Sequence, residues 1–154
     1  MKKYFFVLPI LCLLPFFSLE AQGVSRSKLF NLDHGVALGG YDPVSYFVGP
    51  KALRGDKQYV FTDQGALYYF SSAANRDLFK TNPSKYEPQY GGWCAFAMGK
   101  DGTKVEVDPA TFKILDGKLF LFYNRFFNNT LKSWEKDESR LHKSADKNWQ
   151  KIIQ

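Results

Sequence analysis

Cysteine and histidine are scarce in this sequence. Among its 154 residues, Cys12 and Cys94 are the only thiols, and His34 and His142 are the only imidazoles. The chain accordingly has no Cys-x-x-Cys pair and no His-Glu-x-x-His motif, and it also lacks a phosphate-binding glycine loop and a nucleophile elbow. These absences argue against the common classes of thiol oxidoreductase, metalloprotease, nucleotide-binding enzyme and serine hydrolase. We predict a small binding domain and not an enzyme.

Long apolar stretches are absent except at the N-terminus. Two lysines precede an apolar run over residues 4–19, which two prolines and a serine interrupt, and a small-residue edge follows at Ala21. This order is typical of a secretory signal, whereas a membrane-spanning helix needs about 20 uninterrupted apolar residues. We predict a cleaved signal over residues 1–21 and a periplasmic or secreted protein without a transmembrane segment. A lipid anchor on Cys12 is not expected, because the bulky Leu11 precedes it.

Blocks of like charge are also missing. Residues 22–154 contain 19 basic and 14 acidic residues, a net charge of +5, and the lysines are scattered with no run of five or six. Scattered charge favours a solvated surface over nucleic-acid binding. A net positive charge still suits acidic partners, including phosphates and anionic envelope surfaces. We expect one domain, long enough to fold without a disulfide.

Local patterns predict an α+β fold. Residues 22–30 are expected to form a linker and residues 31–153 the domain. One hairpin is predicted over 58–62 and 66–70, and a second over 112–115 and 118–123, where Asp116 and Gly117 suit a type I′ turn. A third strand is expected at 104–107. Between the hairpins, Ser71 or Ser72 can cap a helix over 73–80 that buries Leu78 and Phe79 and ends before Pro83.

The C-terminal tail is predicted to be helical. Its apolar residues recur at steps of three, four and seven, which is the spacing of one helix face packed on a core. The residues of this stripe are Leu131, Trp134, Leu141, Ala145, Trp149 and Ile152. Residues 128–130 match a glycosylation sequon, but we interpret Asn128 and Asn129 as helix-capping residues. The predicted architecture is a small single domain with antiparallel hairpins, a short central helix and a C-terminal helical segment.

Two segments could carry chemistry. Residues 39–47 combine two glycines with Asp42, which can cap a short helix. Residues 89–99 place Cys94 after two glycines, and a helix over 93–98 would put Cys94 in the first turn, where free amide N–H groups favour a thiolate. Met98 would lie one turn further on the same face, and a thiolate and a thioether suit a soft metal such as Cu(I). We predict Cys94 as the principal metal ligand, with Met98 and His34 as further candidates.

Two alternatives stay open at this point. Cys94 and Met98 could instead fill the core, as free cysteine and methionine commonly do, in a domain that docks a protein partner of the cell envelope. Alternatively, the protein could be a redox protein that uses the Cys94 thiol, although no resolving cysteine is available to Cys94.

Several segments resemble the YHS domain family, specifically its exported single-domain bacterial members. The matching segments occur in the expected order at 40–44 (GYDPV), 69–86, 90–94 (YGGWC), 116–119 (DGKL) and 147–149 (KNW). The resemblance implies a small α+β domain and a role in handling copper or other heavy metals. It also implies a departure, because Ser45, Ser71 and Asn75 stand where metal-associated relatives carry cysteine. Serine and asparagine bind soft metals poorly, so the family's metal site is not transferred, and Cys94 is the residue retained.

Overall fold

The computed structural model describes residues 26–154, so the predicted signal sequence lies outside the described residues. In chain order the elements are α1 (Arg26–Leu29), β1 (Leu32–Asp33), β2 (Val36–Ala37), α2 (Ser45–Val48), β3 (Asp56–Asp63), β4 (Ala66–Phe70), α3 (Ala73–Thr81), α4 (Pro83–Tyr86), α5 (Ala95–Lys100), β5 (Asp108–Leu115), β6 (Lys118–Phe122), β7 (Asn124–Arg125), β8 (Asn128–Asn129), α6 (Thr130–Glu135) and α7 (Glu138–Ile153). The predicted α+β architecture is confirmed. None of the described helices is long and apolar enough to cross a bilayer.

The strands form one four-stranded sheet and two separate hairpins. The sheet has the order β1-β2-β4-β3, with β2 and β4 parallel and the other neighbours antiparallel. Both predicted hairpins are present, as β3–β4 and β5–β6. The strand expected at 104–107 is wrong: this segment has no regular secondary structure, and the Val105 carbonyl accepts a hydrogen bond from the Cys94 amide.

Helix α3 begins and ends where the sequence predicts. Ser72 is its N-cap and accepts a hydrogen bond from the Asn75 amide, and Asn82 is its C-cap. Phe79 is fully buried, but Leu78 is 42% exposed, so the prediction that both are buried is half wrong. Adjacent residues on a helix point about 100° apart, and a narrow apolar face covers only one of them.

Two apolar clusters form the core. The first lies under the four-stranded sheet and α3 and includes Tyr68, Phe79 and Cys94. The second lies between β6, α5 and the C-terminal helices and includes Met98 and Trp134. The predicted stripe of the tail packs into this second cluster, divided between α6 and α7. Asn129 caps α6 by accepting a hydrogen bond from the Leu131 amide, as expected of a residue at that position.

Gly99 allows α5 and α7 to pack closely. A Cβ atom at this position would lie 2.5 Å from the carbonyl oxygen of Leu141, well inside van der Waals contact. Asn148 of α7 then donates a hydrogen bond to the Met98 carbonyl. The C-terminal helix is thereby held against the segment that contains Cys94.

Candidate functional site

Cys94 is a buried residue at the start of α5. Helix α5 begins at Ala95, two residues later than the predicted helix, and Cys94 is its N-cap with φ −58° and ψ 117°. The side chain is fully buried and makes no capping hydrogen bond. The Cys94 thiol therefore faces the protein interior, and the expectation that it sits in the first helical turn is wrong.

Two polar groups contact the Cys94 sulfur. The Tyr123 amide donates to Sγ at 3.4 Å, and Sγ lies 3.4 Å from Oγ1 of Thr130. The Thr130 hydroxyl itself donates to the Tyr123 carbonyl at 2.9 Å, so its single proton is already used. The thiol must then be the donor in its contact with Thr130, because each hydrogen bond needs one proton.

A cavity of about 300 Å³ lies beside Cys94. Its lining includes Phe96 and Lys100 from α5, the following Asp101, and Asn128 and Thr130 from the last hairpin and α6. The cavity reaches the neighbourhood of the Cys94 thiol, but the sulfur atom is not exposed to solvent.

The three predicted metal ligands lie in different surroundings. Cys94 belongs to the first core cluster, and Met98, also fully buried, belongs to the second. His34 lies in the β1–β2 turn, with its side chain 98% exposed and 3.7 Å from Asp33. Within residues 26–154, no group of three or more His, Cys, Asp or Glu side chains is arranged to hold a metal ion.

The glycines before Cys94 serve close packing. Tyr90, Gly91 and Gly92 all have positive φ, which gives the sharp turn that the sequence suggests. A Cβ on Gly91 would lie 2.9 Å from Phe30 and 3.0 Å from Trp149. These glycines let the N-terminal arm and α7 approach the backbone before Cys94.

Asp42 organises a second, unexpected cluster. Its carboxylate is fully buried, and Oδ1 accepts from the Val44 amide while Oδ2 accepts from the Ser71 amide, the Ser71 hydroxyl and the Asn75 side chain. The last two distances are both 2.6 Å. Ser45 joins the cluster by donating to the Asp42 carbonyl at 2.8 Å. Asp42 is not the N-cap of α2, because that cap is Val44.

The Asp42 cluster unites three positions that the sequence singled out. Ser45 lies near Asp42 in the chain, whereas Ser71 and Asn75 lie about 30 residues further on, yet all three surround Asp42. In the described part of the chain, every buried side-chain nitrogen and oxygen has a hydrogen-bond partner. Because the hydrogen-bond donors and acceptors of the cluster are satisfied, we assign it a structural role. It connects the glycine loop to α3.

An open cleft of about 420 Å³ contains the more accessible charges. Arg54 and Arg125 line it together with Asp33 and Glu106. Arg54 is fixed by donating to the Gly39 carbonyl at 2.8 Å and by lying 4.1 Å from the centroid of the Tyr41 ring. Both of these partners are neutral, and no carboxylate of residues 26–154 forms an ion pair with Arg54.

Arg125 differs from Arg54 in its charge environment. It lies 3.9 Å from Glu106, and both side chains are more than half exposed. Such a pair is weak in water and leaves the guanidinium accessible. The cleft therefore presents one positioned, uncompensated positive charge and one weakly paired positive charge.

No sequence motif predicts this cleft. Arg54 follows an unremarkable apolar residue, and Arg125 lies some 70 positions further on, so only folding brings them to one surface. Five arginines in the whole chain are too few to form a visible cluster. An isolated aromatic pair in a polar stretch, Phe126 and Phe127, was the one local signal near Arg125 that could have drawn attention to this region.

The fold and the sites define a small α+β domain with a buried thiol, a satisfied aspartate cluster and an arginine-lined cleft. Comparison with protein-family models, with curated proteins and with solved structures gave no match to this chain. The resemblance to the YHS family stays a prediction that rests on the sequence motifs.

Proposed function

We propose that this protein is a non-catalytic binding domain that holds an anionic group, a carboxylate or a phosphate, in the cleft beside Arg54. The proposal rests on the fixed position and the unpaired charge of the Arg54 side chain. Its side chain is immobilised by the Gly39 carbonyl and the Tyr41 ring, yet its charge has no partner among residues 26–154. A guanidinium held in place loses little entropy on binding an oxyanion, and its planar N–H groups match carboxylate and phosphate oxygens.

The cleft also suits a small ligand in size and chemistry. Its volume of about 420 Å³ lies within the range of small-molecule sites. Arg125 adds a second guanidinium, while Asp33 and Glu106 would disfavour a ligand that carries several negative charges. A predicted export signal and a net charge of +5 support a role outside the cytoplasm, where an anionic ligand would be drawn to the protein.

Isothermal titration of the full chain with inorganic phosphate and with acetate tests the proposal. Arg54→Gln is expected to weaken binding about tenfold or more, since it removes a charge-assisted contact. Arg140→Gln is the matched control, because Arg140 lies on α7 and pairs with Asp137. Equal binding by the Arg54 variant and the wild-type chain would reject the cleft as the site.

Copper binding by Cys94 is the second hypothesis, and the geometry supports it less well. The sulfur is covered, its contacts are taken by Tyr123 and Thr130, and the nearby cavity is the only feature in its favour among the described residues. A titration with Cu(I) in the presence of a competing chelator tests this hypothesis. Stoichiometric binding by the wild-type chain and no binding by Cys94→Ala would support it. In that case α5 would have to move to expose the thiol.

A further inference from the structure

Four two-residue turns join antiparallel strands in residues 26–154, and one of them has an unusual sequence. Both residues of each turn have positive φ, as a type I′ turn requires. The turns are His34-Gly35, Gln64-Gly65, Asp116-Gly117 and Phe126-Phe127. Three of them place glycine second, whereas the fourth, between β7 and β8, has phenylalanine at both positions.

The conformation of Phe126 and Phe127 is unfavourable for their residue type. Their φ angles are 51° and 64°, in the left-handed region where a Cβ atom crowds the backbone. Packing does not compensate for this cost, because both residues are almost fully exposed. Residues that are unfavourable for their backbone conformation and that bury no surface are typical of functional positions.

We propose that Phe126 and Phe127 form a membrane-binding tip that inserts its two rings into the boundary between headgroups and acyl chains of a phospholipid bilayer. This proposal goes beyond the binding of an anion in the cleft. A turn that projects two adjacent rings matches the shallow depth to which interfacial anchors enter a bilayer.

The small area of the tip favours a bilayer over a protein partner. Two phenyl side chains offer roughly 300–500 Å², whereas a specific protein interface buries about 800 Å² on each side. A bilayer is fluid and closes around a small protrusion, so no complementary pocket is needed. The tip therefore fits a lipid surface better than it fits a second copy of this chain.

Charge adds a general attraction to anionic lipid without fixing the orientation of the tip. Arg125 directly precedes the tip with a 55% exposed side chain, and Asn128, which directly follows the tip, lines a cavity together with Lys100. Glu106 beside Arg125 and Asp101 beside Lys100 offset these two charges locally. The attraction to an anionic leaflet thus comes mainly from the net charge of +5 over residues 22–154.

Vesicle sedimentation with the full chain tests the tip. Vesicles would be phosphatidylcholine alone or phosphatidylcholine mixed with phosphatidylglycerol, and all variants would retain the same N-terminal residues. Phe126→Asn with Phe127→Gly supplies residues that favour this turn, so the variant should fold at least as well while its partition coefficient drops about tenfold or more for each ring removed. Val48→Ser, which removes an exposed apolar side chain elsewhere, should bind like the wild-type chain.

Three results would overturn the proposal. The first is equal vesicle binding by the Asn-Gly variant and the wild-type chain, and the second is no vesicle binding by the wild-type chain. The third is a dimer, seen by sedimentation velocity without lipid, that the Asn-Gly variant abolishes, since it would assign the tip to a second copy. The same variants separate this proposal from that of the anion cleft. Arg54→Gln should weaken phosphate binding and bind vesicles as Arg140→Gln does. The Asn-Gly variant should bind phosphate like the wild-type chain and bind vesicles more weakly.

Discussion

The thiol of Cys94 donates a hydrogen bond to Thr130, 3.4 Å away, because the Thr130 hydroxyl proton is directed to the Tyr123 carbonyl. The same sulfur accepts from the Tyr123 amide. Cys94 thus connects the start of α5 to the end of β6 and the start of α6. The residue that the sequence predicts as the principal metal ligand has the contacts of a structural residue.

The buried thiol is expected to resist alkylation. In a Cys12→Ser background, iodoacetamide should modify Cys94 in the native protein slower by on the order of a hundredfold or more than in denaturant, because the reaction requires local opening. Mass spectrometry of quenched time points measures both rates. A native rate close to the denatured one would mean that the cavity beside α5 admits reagents to the sulfur.

Removal of the Asp42 carboxylate should be strongly destabilising. Asp42→Ala leaves the partly buried donors of Ser71 and Asn75 without their acceptor, at a cost of about 3 kcal/mol. Urea unfolding followed by tryptophan fluorescence measures the loss. The control is Asp56→Ala, which removes an exposed carboxylate that bonds only Gln58 and should cost less than about 1 kcal/mol. Similar losses in both variants would contradict the central role of Asp42.

The Phe126-Phe127 turn should be improved by turn-forming residues. Replacement by Asn and Gly removes two Cβ-bearing residues with poor positive-φ tolerance from the left-handed region and should raise the free energy of unfolding by about 1–2 kcal/mol. The reciprocal control is Gly117→Ala in the β5–β6 turn, where φ is 71°, and this change should lower stability. Thermal unfolding compares the two, and a destabilised Asn-Gly variant would refute the strain argument.

Close packing of α5 on α7 should depend on Gly99. Gly99→Ala introduces a methyl group 2.5 Å from the Leu141 carbonyl oxygen, and separating the helices should cost about 2 kcal/mol despite the better helix propensity of alanine. Gly49→Ala is the matched control, since the nearest atom to its added Cβ is 3.9 Å away. Chemical denaturation should separate the two variants clearly. Indistinguishable midpoints would argue that α7 shifts without cost.

The ion pair of Lys113 and Glu138 should make stability depend on pH. The Lys113 ammonium lies 2.6 Å from Glu138, and this hydrogen bond lowers the pKa of Glu138 below its ordinary value of 4.5. A lowered pKa in the folded state means that the stabilisation is complete above pH 4.5 and is lost as the pH falls through the folded value.

Glu138→Gln tests this sign. The amide keeps an acceptor for the Trp134 indole but loses the charge, so the variant should be about 1 kcal/mol less stable at neutral pH and equal to the wild-type chain near about pH 3. Urea unfolding at both pH values measures the difference. A gap that does not change with pH would show that the charge of Glu138 is irrelevant.

Local patterns predicted the elements whose stability is local. Asp116 and Gly117 formed the expected turn, Ser72 capped α3, and the apolar stripe of the tail packed on the core. The strand expected at 104–107 failed, because Val105 pairs with the Cys94 amide and not with a strand. That pairing joins residues distant enough that no periodicity in the segment could reveal it.

The sequence by itself determined the α+β composition, the turns and the helix faces, since backbone conformation and hydrophobic spacing act over a few residues. It also singled out Cys94 as the lone thiol of the described residues. Tertiary structure alone decided that Cys94 is covered, that Ser45, Ser71 and Asn75 surround Asp42, and that Arg54 and Arg125 share a cleft. Burial and charge pairing depend on contacts between distant segments, and a linear pattern does not record them.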